Sequence, residues 1–389
     1  MRQRLIILTL SALAAGLVAH AQQAAPPAAG QTAAPAASAT NLGSDANGNP
    51  LRRALKTGHV SNYDEAKVPP YSLPDPLIMA NGQRVGTARA WQTRRRPEIM
   101  RLYETEIYGR VPANAPKVTW EVGETDPAAR GGAAVMKRVL GRIGGAPDAP
   151  RINLSVYTPA KAQKKVPIIL LVSFGGGPAR GAAPAVGVAT APAAPSPAAG
   201  QAAPARGGGP PSGEPPVAAE ILARGWGYAT VGDQDIQPDR VNTWTQGVIG
   251  LTLSPGQLQP APDEWGTISA WAWGISRIVD YLETDASVNA KQIAIQGHSR
   301  LGKTVLWAAA KDERIAAVFS SCAGEMGSAL SRRDWGETVD DMAQNFGWQF
   351  AGNFQKWAGR WNDMPVDAHM LIALSAPRPV FITGGTTDQ

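Results

Sequence analysis

The stretch Gln292-Ile293-Ala294-Ile295-Gln296-Gly297-His298-Ser299-Arg300-Leu301-Gly302-Lys303 limits the folds open to this chain more than any other. A short apolar run enters a turn of small residues and leaves directly into a helical pattern. Strand, sharp turn, helix is the order a nucleophile elbow demands. On such a turn a serine oxygen stands above a sheet, at the positive end of the next helix. Backbone N–H groups there meet developing negative charge. Gly297 and Gly302 let strand and helix approach, although the second glycine falls one position later than in the usual Gly-x-Ser-x-Gly. The bland alternative is a serine that only caps a helix. Lys303, four residues after Ser299, returns to the same helix face, and Arg300 adjoins the serine. Cations at a helix start oppose the dipole, so their presence asks for a functional reason.

The rest of the chain alternates strand and helix. Ile152–Tyr157 has period two, and Val166–Phe174 is a continuous apolar run, as in a strand buried on both faces. Tyr228–Val231, Ile293–Ile295, Ile315–Ser320 and Pro379–Thr383 read as further strands. Ile268, Trp271, Ile275, Ile278, Val279 and Leu282 mark one face of a helix over 265–283, and a second helix follows from Arg300 to about Ala310. Segments 117–123 and 134–142 read as antiparallel edge strands. This pattern predicts an α/β-hydrolase fold: a doubly wound, mostly parallel sheet with helices on both faces, a three-layer αβα sandwich. The hydrophobic content of 44% suffices for its core.

The ends differ from this core. Met1-Arg2-Gln3-Arg4, the apolar run Leu5–Val18 and Ala19-His20-Ala21 have the form of a secretory signal peptide. Cleavage near Ala21/Gln22 and a secreted or periplasmic location are expected. Residues 22–44 read as an Ala/Pro-rich linker, and 45–389 as the catalytic domain. Residues 175–217 form a low-complexity insertion within it, whose first few residues are expected to be functional. Cys322 is the single cysteine, which excludes an internal disulfide framework. The four histidines, His20, His59, His298 and His369, are scattered without zinc spacing, so neither a metal nor a cofactor is expected. The net charge is +6, but the basic residues form no stripe beyond Arg94-Arg95-Arg96, which argues against nucleic acid. No later run reaches membrane-spanning length, so a monomer free of the membrane after cleavage is expected.

Gly297-His298-Ser299-Arg300-Leu301-Gly302-Lys303 resembles the signature of the glucuronoyl esterases, carbohydrate esterase family fifteen, especially the bacterial members. Ala329–Arg333 with Gly336-Glu337-Thr338, and Asp367–Leu374 with Ala376-Pro377-Arg378-Pro379, resemble other blocks of that family. The resemblance implies a serine esterase that cleaves the ester between (4-O-methyl-)glucuronic acid of glucuronoxylan and lignin alcohols, through an acyl-enzyme on Ser299. It implies that Arg300 stabilises the oxyanion and that Lys303 and Glu337 hold sugar hydroxyls. The triad acid is open between Asp388, after the strand at 380–383, and Glu325, in the loop after the strand ending near Ser320. Some family members carry an acid in that earlier loop, at the position that aligns here with Cys322. The base is expected beyond Gln389. His298 lies inside the elbow, His369 precedes the acid-bearing strand, and His59 sits in the N-terminal segment. The chain as it stands is therefore expected to be a fragment close to inactive. Two alternatives remain: another exported carbohydrate esterase for acetyl or feruloyl groups, and an inactive glycan-binding relative with sugar platforms among Trp265, Trp271, Trp273, Trp335, Trp348, Trp357 and Trp361, most of which fit core positions at helical spacing.

Overall fold

The computed structural model describes residues 41–146, 149–175 and 217–385. The expected signal peptide, residues 22–40 of the linker, all but the edges of the insertion, and Asp388 lie outside the described residues. Strand β1 (Asn41–Ser44) pairs antiparallel with β2 (Pro50–Arg52), so the fold takes in the last residues of the stretch expected as linker.

The remaining strands are β3 (Val118–Ala128), β4 (Ala134–Ile143), β5 (Arg151–Pro159), β6 (Val166–Ser173), β7 (Gly227–Gly232), β8 (Val288–His298), β9 (Ala317–Ser321) and β10 (Val380–Thr383). They form one eight-stranded sheet in the order β10-β9-β8-β6-β7-β5-β4-β3. From β10 to β7 all pairs are parallel, and from β7 to β3 they are antiparallel. The chain thus crosses from β6 to β7 and back past β6 to β8, which opens a crevice at the carboxyl ends of β6 and β8.

Helical turn α1 (Ala88–Ala90) continues through Trp91–Arg95 into α2 (Arg96–Glu106), and α3 (Ala129–Gly132) is a single turn between β3 and β4. Then follow α4 (Ala218–Ala223), α5 (Thr267–Thr284), α6 (Arg300–Lys311), α7 (Val339–Asn345) and α8 (Ala368–Ala373). Alternation along β6 divides the core. Ile168, Leu170 and Val172 join the large apolar cluster with α5, α6 and α8, while Leu171 joins a smaller one with Ile221 and Leu222 of α4. Helices therefore lie on both faces, as expected, with the heavier layer on the α5/α6 side. Trp265, Trp271 and Trp307 are fully buried there, so Trp265 and Trp271 belong to the core and not to a sugar platform. Within the described residues, no helix is long and apolar enough to cross a membrane.

The glycines of the elbow are fixed by packing. A Cβ at Gly297 would lie 2.3 Å from the Leu301 carbonyl oxygen in the first turn of α6, and one at Gly302 would lie 2.8 Å from the Ser321 carbonyl at the end of β9. The late second glycine is thus the position where α6 touches the neighbouring strand. Gly297→Ala is expected to destabilise the fold by about 2 kcal/mol, in the range of core overpacking, because the clash is with backbone. A melting temperature unchanged from the parent would contradict this.

Candidate active site

Ser299 begins α6 with φ 57° and ψ −125°, a conformation costly for a residue with a Cβ. Its N–H donates to the Ser321 carbonyl at 2.8 Å, and its own carbonyl accepts from Lys303 N–H at 3.1 Å. The turn is thereby tied to β9 on one side and to α6 on the other. Ser299 occupies the N-cap position, yet its side chain makes no capping bond. That distinguishes the two readings of the serine. A capping residue has ordinary extended backbone and a hydroxyl engaged with the helix; Ser299 has strained backbone and a hydroxyl that makes no such bond.

Both cations of the motif are held. The Arg300 guanidinium pairs through Nη1 with Asp239 and lies 5.4 Å from the centre of the Phe174 ring and 5.8 Å from that of Phe346. Lys303 is buried, and burial pushes its ammonium down to about 8; Glu337 and Glu325 oppose that shift. A Cβ at Gly324 would lie 3.9 Å from Glu337 Oε2 and 4.0 Å from Lys303 Nζ, so both charged tips flank this glycine. Glu337 also meets Arg52 at 3.5 Å. Ser299, Arg300, Lys303 and Glu337 thus gather where α6 starts and the loop after β9 turns back, with the N-terminal segment closing one side.

Glu325 has a different setting. Its carboxyl is buried, accepts the Ser331 hydroxyl, and is pushed up to about 8 by burial. Its neighbours Met326 and Ser331 are anchored in turn: Tyr108 donates to the Met326 carbonyl, and Ser331 N–H donates to Asp367 at 3.0 Å. Buried Arg332 pairs with Asp367 at 3.1 Å and donates to the Val366 carbonyl at 3.1 Å. The carboxyl therefore faces inward, and no described histidine contacts it. Cys322 has φ 47° and donates its N–H to Thr383 O at 2.7 Å, which stitches the loop to β10.

The three described histidines are engaged elsewhere. His298 Nδ1 lies 3.3 Å from Ser321 Oγ on an exposed surface. His369 Nε2 meets Pro74 O at 2.8 Å. His59 Nε2 lies 2.9 Å from Asp334 Oδ1, and that carboxylate raises its pKa. None is hydrogen-bonded to Ser299. No cluster of ligating side chains able to hold a metal ion occurs among the described residues. Asp239, Phe174, Phe346 and Arg52 escaped the sequence reading. They come from remote segments without a motif of their own; only the position of Phe174, at the end of the strongest apolar run, marked it.

Opposite pH dependences follow from the buried pair. Glu325 has its folded pKa raised from 4.5 to about 8, so its contribution to stability is full below 4.5 and is lost as the pH rises toward 8. Lys303 has its folded pKa lowered from 10.5 to about 8, so stability rises again between 8 and 10.5. Glu325→Gln is expected to abolish the fall between pH 5 and 8. Denaturant unfolding of parent and variant across this range checks it, and parallel curves would refute the assignment.

Comparison with known proteins agrees with this geometry. A family model described as glucuronyl esterase, fungi, matches residues 257–389. Carbohydrate esterase MZ0003, from an unknown prokaryotic organism, is 39% identical over 331 residues, covering 84% of this chain and 76% of that protein. The structure of a glucuronoyl esterase from Solibacter usitatus superposes with a TM-score of 0.72 at 41% identity, over 83% of this chain and 82% of that one. A glucuronoyl esterase of carbohydrate esterase family 15 from Teredinibacter turnerae gives a TM-score of 0.70 at 32% identity, over 87% and 79%. A 4-O-methyl-glucuronoyl methylesterase from Cerrena unicolor is 29% identical over 82% of this chain, which spans 57% of that protein.

Proposed function

The chain belongs to the glucuronoyl esterases of carbohydrate esterase family 15, and we propose that it hydrolyses esters of glucuronic acid, in glucuronoxylan, with lignin alcohols. The observation that carries this reading is a strained, uncapped serine with two held cations on the first turn of its helix. Both a glucuronoyl and an acetyl ester are neutral until attacked, so Arg300 serves the oxyanion of either; what suits a sugar acid is the second cation, Lys303, with Glu337 across Gly324, as partners for ring hydroxyls.

In this reading Ser299 Oγ attacks the ester carbonyl and the alcohol departs. Water then cleaves the acyl-enzyme and releases the glucuronate. Charge on the carbonyl oxygen rises at each attack, and the role read for Arg300, next to Ser299 in the chain and fixed by Asp239, is to meet it. Lys303 and Glu337, whose charged tips flank Gly324, suit the donor and acceptor needs of vicinal sugar hydroxyls. Asp388, after β10, is the triad acid we favour, because the Glu325 carboxyl is committed to Ser331. The base that takes the Ser299 proton is assigned outside His59, His298 and His369. The signal-like N-terminus supports action outside the cytoplasm, where the polysaccharide is found.

The full-length protein is expected to cleave benzyl glucuronate faster than p-nitrophenyl acetate, judged by kcat/KM. Ser299→Ala is expected to lose at least about 10³-fold in kcat, and Lys303→Ala to raise KM for the glucuronate ester while leaving acetate turnover within about twofold. Faster turnover of the acetate by the parent would reverse the substrate assignment.

A further inference from the structure

Arg300 stands at the first position of α6, where the helix dipole repels a cation. A long side chain there, 35% exposed, has many alternatives in water. We propose that Asp239 is the positioning residue that fixes Arg300 over the Ser299 turn and so sets its contribution to turnover. The proposal rests on the reading of Ser299 as an ester-cleaving nucleophile.

The Asp239 carboxylate is only 4% exposed and lies in the segment after β7, far from the nucleophile in sequence. One oxygen receives Arg300 Nη1. The other accepts Trp348 Nε1 at 2.9 Å and Gln349 Nε2 at 2.7 Å. Three donors from three residues thus direct the carboxylate, two of them on the oxygen away from the arginine, and it is not free to follow the arginine. The backbone carrying Asp239 is equally fixed. Buried Gln237, two residues earlier, donates to Thr243 O at 3.0 Å, accepts Ile249 N–H at 3.1 Å, and through its carbonyl accepts Trp271 Nε1 at 2.9 Å from the core of α5. Trp348 is held in turn, its carbonyl accepting Thr267 Oγ1 at 3.1 Å. The rings of Phe174 and Phe346 lie against the guanidinium. A planar cation with one edge clamped and rings beside it is oriented before substrate arrives, which is the condition for electrostatic stabilisation without reorganisation.

In the full-length protein, Asp239→Asn keeps the size of the side chain and removes its charge. It is expected to lower kcat about 10- to 100-fold on benzyl glucuronate with KM changed by less than about twofold, and to leave the melting temperature within a few degrees. In an Arg300→Gln background the same substitution is expected to cost less than about twofold, because nothing remains to be positioned. Independent, additive losses would overturn the proposal, as would a loss confined to KM. This background also decides the matter if Asp239→Asn alone does not fold. If the parent cleaves p-nitrophenyl acetate but no glucuronate ester, the substrate reading fails and the same comparison on acetate still tests Asp239, since both esters develop the same oxyanion. If it cleaves neither, crystal structures decide: Arg300 displaced in Asp239→Asn supports the proposal, and Arg300 in its parental place overturns it.

Discussion

The hydrogen bond from Ser299 N–H to the Ser321 carbonyl, 2.8 Å long, ties the strained elbow to the neighbouring strand, and much of the site depends on it. A serine at φ 57° relaxes unless the surroundings over-determine it. Three features do so. The bond to β9 fixes the N–H, Gly297 allows the first turn of α6 to close down on β8, and Gly302 lets α6 meet the end of β9. The parallel register supports the same point, since His298 at the end of β8 lies opposite Ser321. A site that needs one oxygen raised above a sheet is thus paid for by the tight packing of β8, α6 and β9.

Charge is the second constraint. α6 begins with Arg300 and has buried Lys303 in its first turn, both at the end where positive charge is disfavoured. Desolvation adds to the cost of Lys303. The fold offsets this with the carboxylates of Asp239 after β7 and Glu337 before α7, while Glu325 in the loop after β9 adds its charge only as the pH passes about 8. Each is anchored by its own partners, Trp348 and Gln349 for Asp239, Ser331 for Glu325, Arg52 for Glu337. Cations and carboxylates therefore form one network around the start of α6, and its buried part is costly to leave half-satisfied.

The sequence revealed those parts of the fold governed by local pattern. The run 166–174 is β6 because both its faces are covered, and the one-sided apolar stripe over 265–283 is α5 almost to the residue. The elbow was legible because its chemistry needs strand, glycines, serine and helix in one contiguous stretch. β8 was read too short: Asn289, Lys291 and Gln292 are polar, yet they extend the strand where it passes into solvent at its start. Asp239 was illegible for the opposite reason. A lone Asp between Pro238 and Arg240 carries no local signal, and its meaning lies in Arg300 sixty-one residues later. Glu325 was found, but its role was not. Its place in the loop after the strand ending near Ser320 fitted a triad acid, and only the Ser331 hydroxyl and its burial turn it inward.

The N-terminal segment shows how far such long-range assembly goes. The residues from Arg52 to Glu65 contribute no strand to the eight-stranded sheet, yet they dock along the loop that carries Glu337. Asn62 O accepts Gly336 N–H at 2.8 Å, Thr57 Oγ1 donates to Asp340 at 2.8 Å, Leu55 N–H donates to Gln344 at 2.7 Å, and His59 pairs with Asp334 against the Trp361 ring. Gly336 has φ 68°, so the loop turns sharply just before Glu337 and depends on that docking to hold its direction. Tyr63 and Trp335 meet edge to face at 6.3 Å beside it. The Glu337 carboxylate is thus placed by a segment some 280 residues away in the chain. In physical terms the geometry of the Ser299 elbow is local, whereas Glu337 is carried on a loop whose position is set by contacts no local pattern encodes.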